Sequence, residues 1–288
     1  MVVIRPPSEA NSFLLPVTMG CSHNKCTFCG TYTGIKFRIR PLEAIKQDID
    51  SVARNYSWSA RRVFLENGDA LIAPQHLLVA VLNHLNERFP HLDRTGTYAS
   101  PQSALLKSLD ELRELNQLGL KIAYLGVETG DEELLKKVNK GANYDQIVEA
   151  GKKLKQAGIT TSATVILGLG GVEGSQKHAL ATGRILSDID PDFAGALTIM
   201  LVPGTPLHKD WQEGRFSLIS PLQSLAELKT IIENSDFTSC FFTANHASNY
   251  LPVKARLPEQ KVEIIKLIDD ILARQDMSRL RPEFTRAL

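Results

Sequence analysis

The chain has 288 residues, 43% of them hydrophobic, and its 33 basic side chains nearly cancel its 32 acidic ones to leave a net charge of +1. That balance describes an ordinary globular chain of one large or two small domains, and nothing electrostatic in it demands a nucleic-acid or membrane partner. No run approaches the roughly 18 apolar residues needed to span a bilayer, and the N-terminus lacks the charged-then-apolar order of a signal peptide, so a cytoplasmic location is expected.

In chain order, residues 12–17 predict a first strand that leads straight into a loop carrying three of the four cysteines. Cys21, Cys26 and Cys29 are spaced C-x4-C-x2-C. Thiolates gathered this tightly select zinc or an iron-sulfur cluster over hard cations. A closed zinc site or an electron carrier takes four protein ligands, whereas three thiolates on a four-iron cluster leave one iron open to a substrate or cofactor. Residues 35–40 alternate like a short extended piece, and Pro41 opens a helix that turns Leu42, Ile45, Ile49 and Val52 inward. A second strand over 62–65 precedes Glu66-Asn67-Gly68-Asp69-Ala70 and a helix over 74–89. A third strand, 95–99, ends at Ser100, and Leu105, Leu109, Leu112 and Leu115 mark one helix that Gly119 stops. A fourth strand, 122–127, ends at Glu128 and is followed by helices over 131–138 and 144–157. The fifth strand, 161–167, runs into Gly168-Leu-Gly-Gly171 and a helix over 176–187, and the sixth, 195–202, into Pro203-Gly-Thr-Pro206.

Six strand-then-helix units without a hairpin signal predict a parallel sheet, because parallel neighbours need long crossovers. The expected fold class is α/β, a curved or closed barrel, whose chemistry gathers on the loops at the carboxyl ends of its strands. Beyond 207 the pattern predicts a helix over 221–233, a short strand over 238–242, a polar loop over 244–250 and an amphipathic helix over 258–275. The charged tail from Met277 is expected to be loosely held.

With these residues in place the sequence resembles the radical S-adenosylmethionine superfamily, and most of all the branch of coproporphyrinogen dehydrogenases and the Elongator catalytic subunit. The resemblance covers residues 13–207. It implies a partial (β/α)6 TIM-type barrel over 1–207 with a short, mostly helical C-terminal extension over 208–288 on the substrate side. It also implies a 4Fe-4S cluster on Cys21, Cys26 and Cys29, with S-adenosylmethionine chelating the open iron. Phe28 matches the aromatic before the last cysteine, near the adenine. Asn67, Gly68 and Asp69 resemble the family's Gly-Gly-Glu segment, with Asp for Glu, which receives the methionyl ammonium. An acid there is sensible, since an ammonium taken from water needs a charge-assisted acceptor. Ser100, at the end of the third strand, joins the same cofactor-binding set. Leu125-Gly-Val-Glu-Thr-Gly130, with Lys140-Gly141 behind it, resembles the branch's Gly-x-Glu-Ser-Gly signature and makes Glu128 a partner for ribose or ammonium. Gly168 and its neighbours resemble the strand end that approaches adenine, and Pro203-Gly-Thr-Pro-Leu207 is a recurrent phrase of the branch.

The implied activity is reductive cleavage of S-adenosylmethionine to a 5′-deoxyadenosyl radical that takes hydrogen from an unknown substrate. The electron comes from a reducing partner such as flavodoxin or ferredoxin. No cobalamin-binding segment, second cysteine cluster or RNA-binding appendage is recognised, which weighs against methylthiotransfer and cobalamin-dependent methylation. The alternative is a non-catalytic zinc- or iron-sulfur-binding or electron-transfer protein on the same barrel, with His23 or Cys240 as a fourth ligand. Cys240 reads more simply as an inert buried thiol. Tyr98, Arg184 and His246 are candidate donors near substrate, and Arg38 and Arg40 candidate partners for an anion.

Overall fold

The structure is a computed structural model that describes residues 4–287, and it divides into two compact units. The first runs up to Asn24 and adds Thr31–Gly126 and Glu149–Thr161, and the second comprises Lys25–Gly30, Val127–Val148 and everything from Ser162. The cysteine loop therefore begins in one unit, with Cys21, and ends in the other, with Cys26 and Cys29.

In the first unit β1 (Phe13–Pro16) leads to β2 (Thr18–Met19), which pairs antiparallel with β3 (Arg38–Ile39) across the cysteine loop. The helix α1 (Leu42–Tyr56), β4 (Arg62–Glu66), α2 (Gln75–Arg88) and β5 (Arg94–Ala99) follow. The single helix expected after β5 is two, α3 (Pro101–Leu106) and α4 (Leu109–Gln117). Lys107 between them is extended, and Ser108 starts α4 with a reciprocal cap to Glu111. The four leucines do share one core, but a capping box outweighs continuity of an apolar face. β6 (Leu120–Glu128) closes this half, and β1 pairs parallel with β4, β4 with β5, and β5 with β6.

Side chains on these strands alternate between two faces. Leu15, Val63, Leu65 and Ala123 pack with Ile45, Ile49, Leu78, Leu82 and Leu112 of the helices in one core. Leu14, Phe64, Tyr98, Ile122 and Tyr124 form a separate cluster on the opposite, inner face.

The second unit carries α5 (Glu132–Lys137), the start of α6 (Tyr144–Gln156), the bulk of β7 (Thr160–Leu167), α7 (Gly171–Ile189) and β8 (Phe193–Thr198). The helix α7 starts at Gly171, five residues before the expected position, because the glycine turn passes directly into it. The sixth expected strand, β8, stops four residues short of the expected 202, and Ile199 instead packs with Leu169, Leu207 and Phe216. After α8 (Pro206–Gln212) and α9 (Pro221–Glu233), β9 (Cys240–Thr243) pairs parallel with β8 and antiparallel with β10 (Lys254–Leu257). α10 (Lys261–Arg274) follows.

Two expectations are corrected here. Antiparallel pairs do occur, β2 with β3 and β9 with β10, the second resting on a strand hidden between Pro252 and Pro258. The tail is held rather than loose: Arg281 donates to the carbonyls of His246, Ala247 and Asn249, and Arg286 to those of Ser248 and Ile199. Among the described residues no helix is long and apolar enough to cross a membrane.

Candidate active site

In the first unit the segment after β4 is built onto the start of the cysteine loop. Asn67 takes a left-handed backbone, φ 78°, which turns the chain, and the Gly68 N–H donates to the Gly20 carbonyl at 3.1 Å. A Cβ on Gly68 would lie 2.7 Å from the Cys21 Cβ and 2.9 Å from the Tyr32 ring, so the approach to Cys21 requires the missing side chain. Asp69 is fully buried, its Oδ2 accepting from the hydroxyls of Ser22 and Ser100, each at 2.7 Å, and its Oδ1 from the Ser100 N–H at 3.2 Å. Ser100 is also the N-cap of α3. One carboxylate thus ties the residue after Cys21 to the end of β5, and its Oδ1 retains acceptor capacity. The Asn67 side-chain nitrogen is buried and has no hydrogen-bond partner among the described residues.

In the second unit the remainder of the loop is clamped by two of the phrases singled out above. The Thr27 N–H donates to Val138 at 2.9 Å, and the Leu207 N–H donates to the Thr27 carbonyl at 2.9 Å. The Asn139 amide donates to Lys25 at 3.2 Å. Within the loop the Cys29 N–H meets the Cys26 carbonyl at 3.2 Å. A Cβ on Gly30 would come within 2.6 Å of Val202. Phe28 is half-buried against Leu134, Val138, Leu169, Leu207 and Phe216, and Cys29 is exposed. Among the described residues no group of three or more His, Cys, Asp or Glu converges on a single ion.

Glu128 ends β6 in a left-handed conformation, φ 68°, and Lys140 donates to its carboxylate at 2.8 Å with both side chains largely buried. Gly130, two residues on, has no room for a Cβ, which would sit 2.0 Å from the Ala181 carbonyl of α7. Gly168, φ 77°, donates its N–H to Glu227 at 2.6 Å, and a Cβ there would meet Ile219 at 2.9 Å. Burial pushes Glu227 up to about 7, against the lowering pull of its bonds to Ser175 and Gly168. Next to it His178, completely buried, is pushed down to about 4. Its Nε2 donates to the Ile166 carbonyl at 3.0 Å, so Nδ1 accepts from the Thr129 hydroxyl at 2.8 Å. A neutral imidazole 3.9 Å from Glu227 is a packing neighbour rather than an ion-pair partner.

The family model for the radical SAM superfamily matches residues 15–181, more than half of the chain. The chain belongs to the radical SAM superfamily. Its members are enzymes, and their cofactors, a 4Fe-4S cluster and S-adenosylmethionine, are those of this radical SAM chain. The uncharacterized protein MJ0486 of Methanocaldococcus jannaschii is 25% identical over 279 residues, 92% of this chain and 81% of its own. Among solved structures, coproporphyrinogen III oxidase HemN from Escherichia coli superposes with a TM-score of 0.59 at 18% identity, over 77% of this chain and 51% of its own. Elp3 from Methanocaldococcus infernus gives 0.53 at 14% identity, over 82% and 58%. The radical SAM chain spans only about half the length of those two enzymes, and the likeness bears on fold: an α/β, partial TIM-type barrel.

Of the residues singled out in the sequence of this radical SAM enzyme, Gly68, Asp69 and Ser100 meet around Cys21, and Glu128 and Gly168 each take a left-handed backbone at the end of a strand. Arg184 does not belong with them: it is exposed on α7, where its charge acts on Tyr144. Arg40 is committed to Asp48 and the Pro16 carbonyl, and Arg38 is exposed on β3. The His246 Nδ1 accepts from Ser248, a structural arrangement. Cys240 is buried on β9. Ser22, Lys140, His178 and Glu227 carry roles that the sequence reading did not assign. Only Ser22, beside Cys21, and Lys140, inside a motif, carried a local signal.

Proposed function

We propose that this radical SAM enzyme holds its cluster through Cys21, Cys26 and Cys29 and acts on a small-molecule substrate gathered at the carboxyl ends of its strands. Bound together, the cluster and S-adenosylmethionine would supply one-electron chemistry, reductive C–S cleavage coupled to removal of a hydrogen atom from the substrate. The residues contribute position and exclusion of water. Asp69 orders Ser22 and Ser100 and offers Oδ1 to an ammonium, and the Asn67 nitrogen is a buried donor suited to a carboxylate or hydroxyl. Lys140 holds Glu128 in the orientation needed to accept from a ribose, Glu227 fixes the turn at Gly168 toward an adenine, and Phe28 gives that base an apolar neighbour. We assign 1–207 as the catalytic core and 208–288 as the extension that tailors it, which accords with Glu227 reaching Gly168 from α9. A flavodoxin- or ferredoxin-type protein delivers the electron.

The observation that carries this reading is the contact of Gly68 with Cys21: the segment that resembles the family's cofactor site and the first cluster ligand share one backbone approach with no room for a side chain. Anaerobic reconstitution tests it. The expected outcome is about four irons per chain and 5′-deoxyadenosine formed with dithionite and S-adenosylmethionine. Cys21→Ala, Cys26→Ala and Cys29→Ala each abolish both, while Cys240→Ala keeps the iron. Stoichiometric zinc without cofactor cleavage, or loss of iron in Cys240→Ala, would overturn it.

A further inference from the structure

Two carboxylates face the inner side of the four parallel strands of the first unit, and the described residues satisfy only one of them. Glu9, at the amino-terminal end of the strands, is fully buried and has three partners: it accepts from the Tyr124 hydroxyl at 2.6 Å and from Ser12, and it pairs with Arg94 at 2.7 Å. Glu66 is the last residue of β4, at the other end. It follows Phe64 on the same face, since Leu65 between them packs with the helices. Only 8% of it is exposed, yet among the described residues it makes no hydrogen bond or ion pair. The exposed Arg5 acts on it through its charge alone, and burial outweighs that pull to raise the Glu66 pKa.

Below Glu66 the inner face is aromatic. Phe64 meets Tyr98 edge-on with centroids 5.0 Å apart, and Tyr124 completes the trio at 5.7 and 6.2 Å from them. The Tyr98 hydroxyl likewise has no hydrogen-bond partner among the described residues, in contrast to that of Tyr124, which Ser8 and Glu9 engage. A carboxylate largely withdrawn from water is costly unless it is paired, and Glu9 shows the ordinary solution within this same chain. Beyond Glu66 lie Asn67, Gly68 and Asp69, so its carboxylate stands between an aromatic floor and the segment assigned to the cofactor.

We infer that Glu66 selects a substrate carrying a cationic nitrogen, a primary amine foremost, whose apolar or aromatic body rests on the partly exposed Tyr98, itself backed by the buried Phe64. The inference rests on the reading above that substrate is held at this end of the strands. A cation there supplies a partner for Glu66, and the Tyr98 ring adds dispersion and a favourable quadrupole. S-adenosylmethionine also carries an ammonium, and the experiment separates the two sources.

The probes are 2-phenylethylamine and its neutral counterpart 2-phenylethanol, titrated into reconstituted holoenzyme containing S-adenosylmethionine and followed by ligand-observed NMR and calorimetry. The native enzyme is expected to bind the amine about tenfold or more tightly than the alcohol, because a buried group built to receive a donor rejects a ligand that leaves it unpaired. Glu66→Gln, nearly isosteric, is expected to erase that preference while S-adenosylmethionine affinity stays within about twofold, and Glu66→Asp to retain part of it. Equal affinities in the native enzyme, or a preference that survives in Glu66→Gln, overturn the inference. So does a fall in S-adenosylmethionine affinity that matches the fall for the amine, since the carboxylate would then belong to the cofactor. Failure of the underlying reading shows itself separately, as native protein that binds no iron and cleaves no S-adenosylmethionine before any probe is added.

Discussion

At the scale of single residues the site depends on places where a side chain has no room and on places where a polar group has a definite partner. Gly68 is the sharpest of the first kind. Gly68→Ala must displace Cys21 or Tyr32, and overpacking of this sort costs about 1–3 kcal/mol. Reconstituted Gly68→Ala is therefore expected to lose at least half its iron while its far-ultraviolet circular dichroism stays native. Gly174→Ala is the control, because nothing lies within 4 Å of that Cβ on α7, and it is expected to raise stability by about 0.5–1 kcal/mol through helix propensity. Iron content unchanged in Gly68→Ala would mean that the loop tolerates a shift at Cys21. The cysteines and Asn67-Gly68-Asp69 were legible in the sequence because their chemistry is local. What Asp69 touches was not, since Ser22 and Ser100 lie 47 and 31 residues away along the chain.

Elements were read well where an apolar period and a stop signal agreed, as at α9, whose observed bounds Pro221–Glu233 are those expected. They were misread where two local signals competed. Around Lys107 the leucine spacing argued for one helix and the Ser108 capping box for two, and the cap prevailed because it satisfies N–H groups that would otherwise be unpaired. Ser108→Ala is accordingly expected to lower stability by about 1 kcal/mol, and Ser108→Asp to restore most of it. Urea denaturation measures both, and an unchanged midpoint in Ser108→Ala would show that packing alone ends α3. β10 escaped notice because four residues between prolines pair only once β9 is beside them.

For the whole molecule, stability against pH reports the buried pair behind Gly168. Glu227 rises from an ordinary value of 4.5 to about 7, so its favourable contribution is present below 4.5 and is lost as pH climbs through 7. His178 falls from 6.5 to about 4, so its contribution is present above 6.5 and is lost as pH drops through 4. Each amounts to about 3 kcal/mol at 1.36 kcal/mol per pKa unit. The two slopes oppose each other between about 4.5 and 6.5, where this pair leaves the native protein nearly level. Glu227→Gln removes one slope, so its stability relative to the native protein is expected to gain about 3 kcal/mol between pH 4.5 and 7. Chemical denaturation at a series of pH values checks this, and a variant profile parallel to the native one would refute the attribution to Glu227.

The sequence alone determined the family, the cofactors and the order of the six parallel strands that β1, β4, β5, β6, β7 and β8 form. Each of these is written in spacing: thiolates a few residues apart, or apolar side chains at periods of two and 3.6. Only the tertiary structure decided which buried carboxylates are satisfied by the protein. Asp69, Glu9 and Glu128 have partners, Glu227 binds a backbone N–H, and Glu66 has none among the described residues. The physical reason is that a charge is paired through space by whatever the fold brings within about 3 Å, and no local pattern records that a residue 59 positions away will arrive.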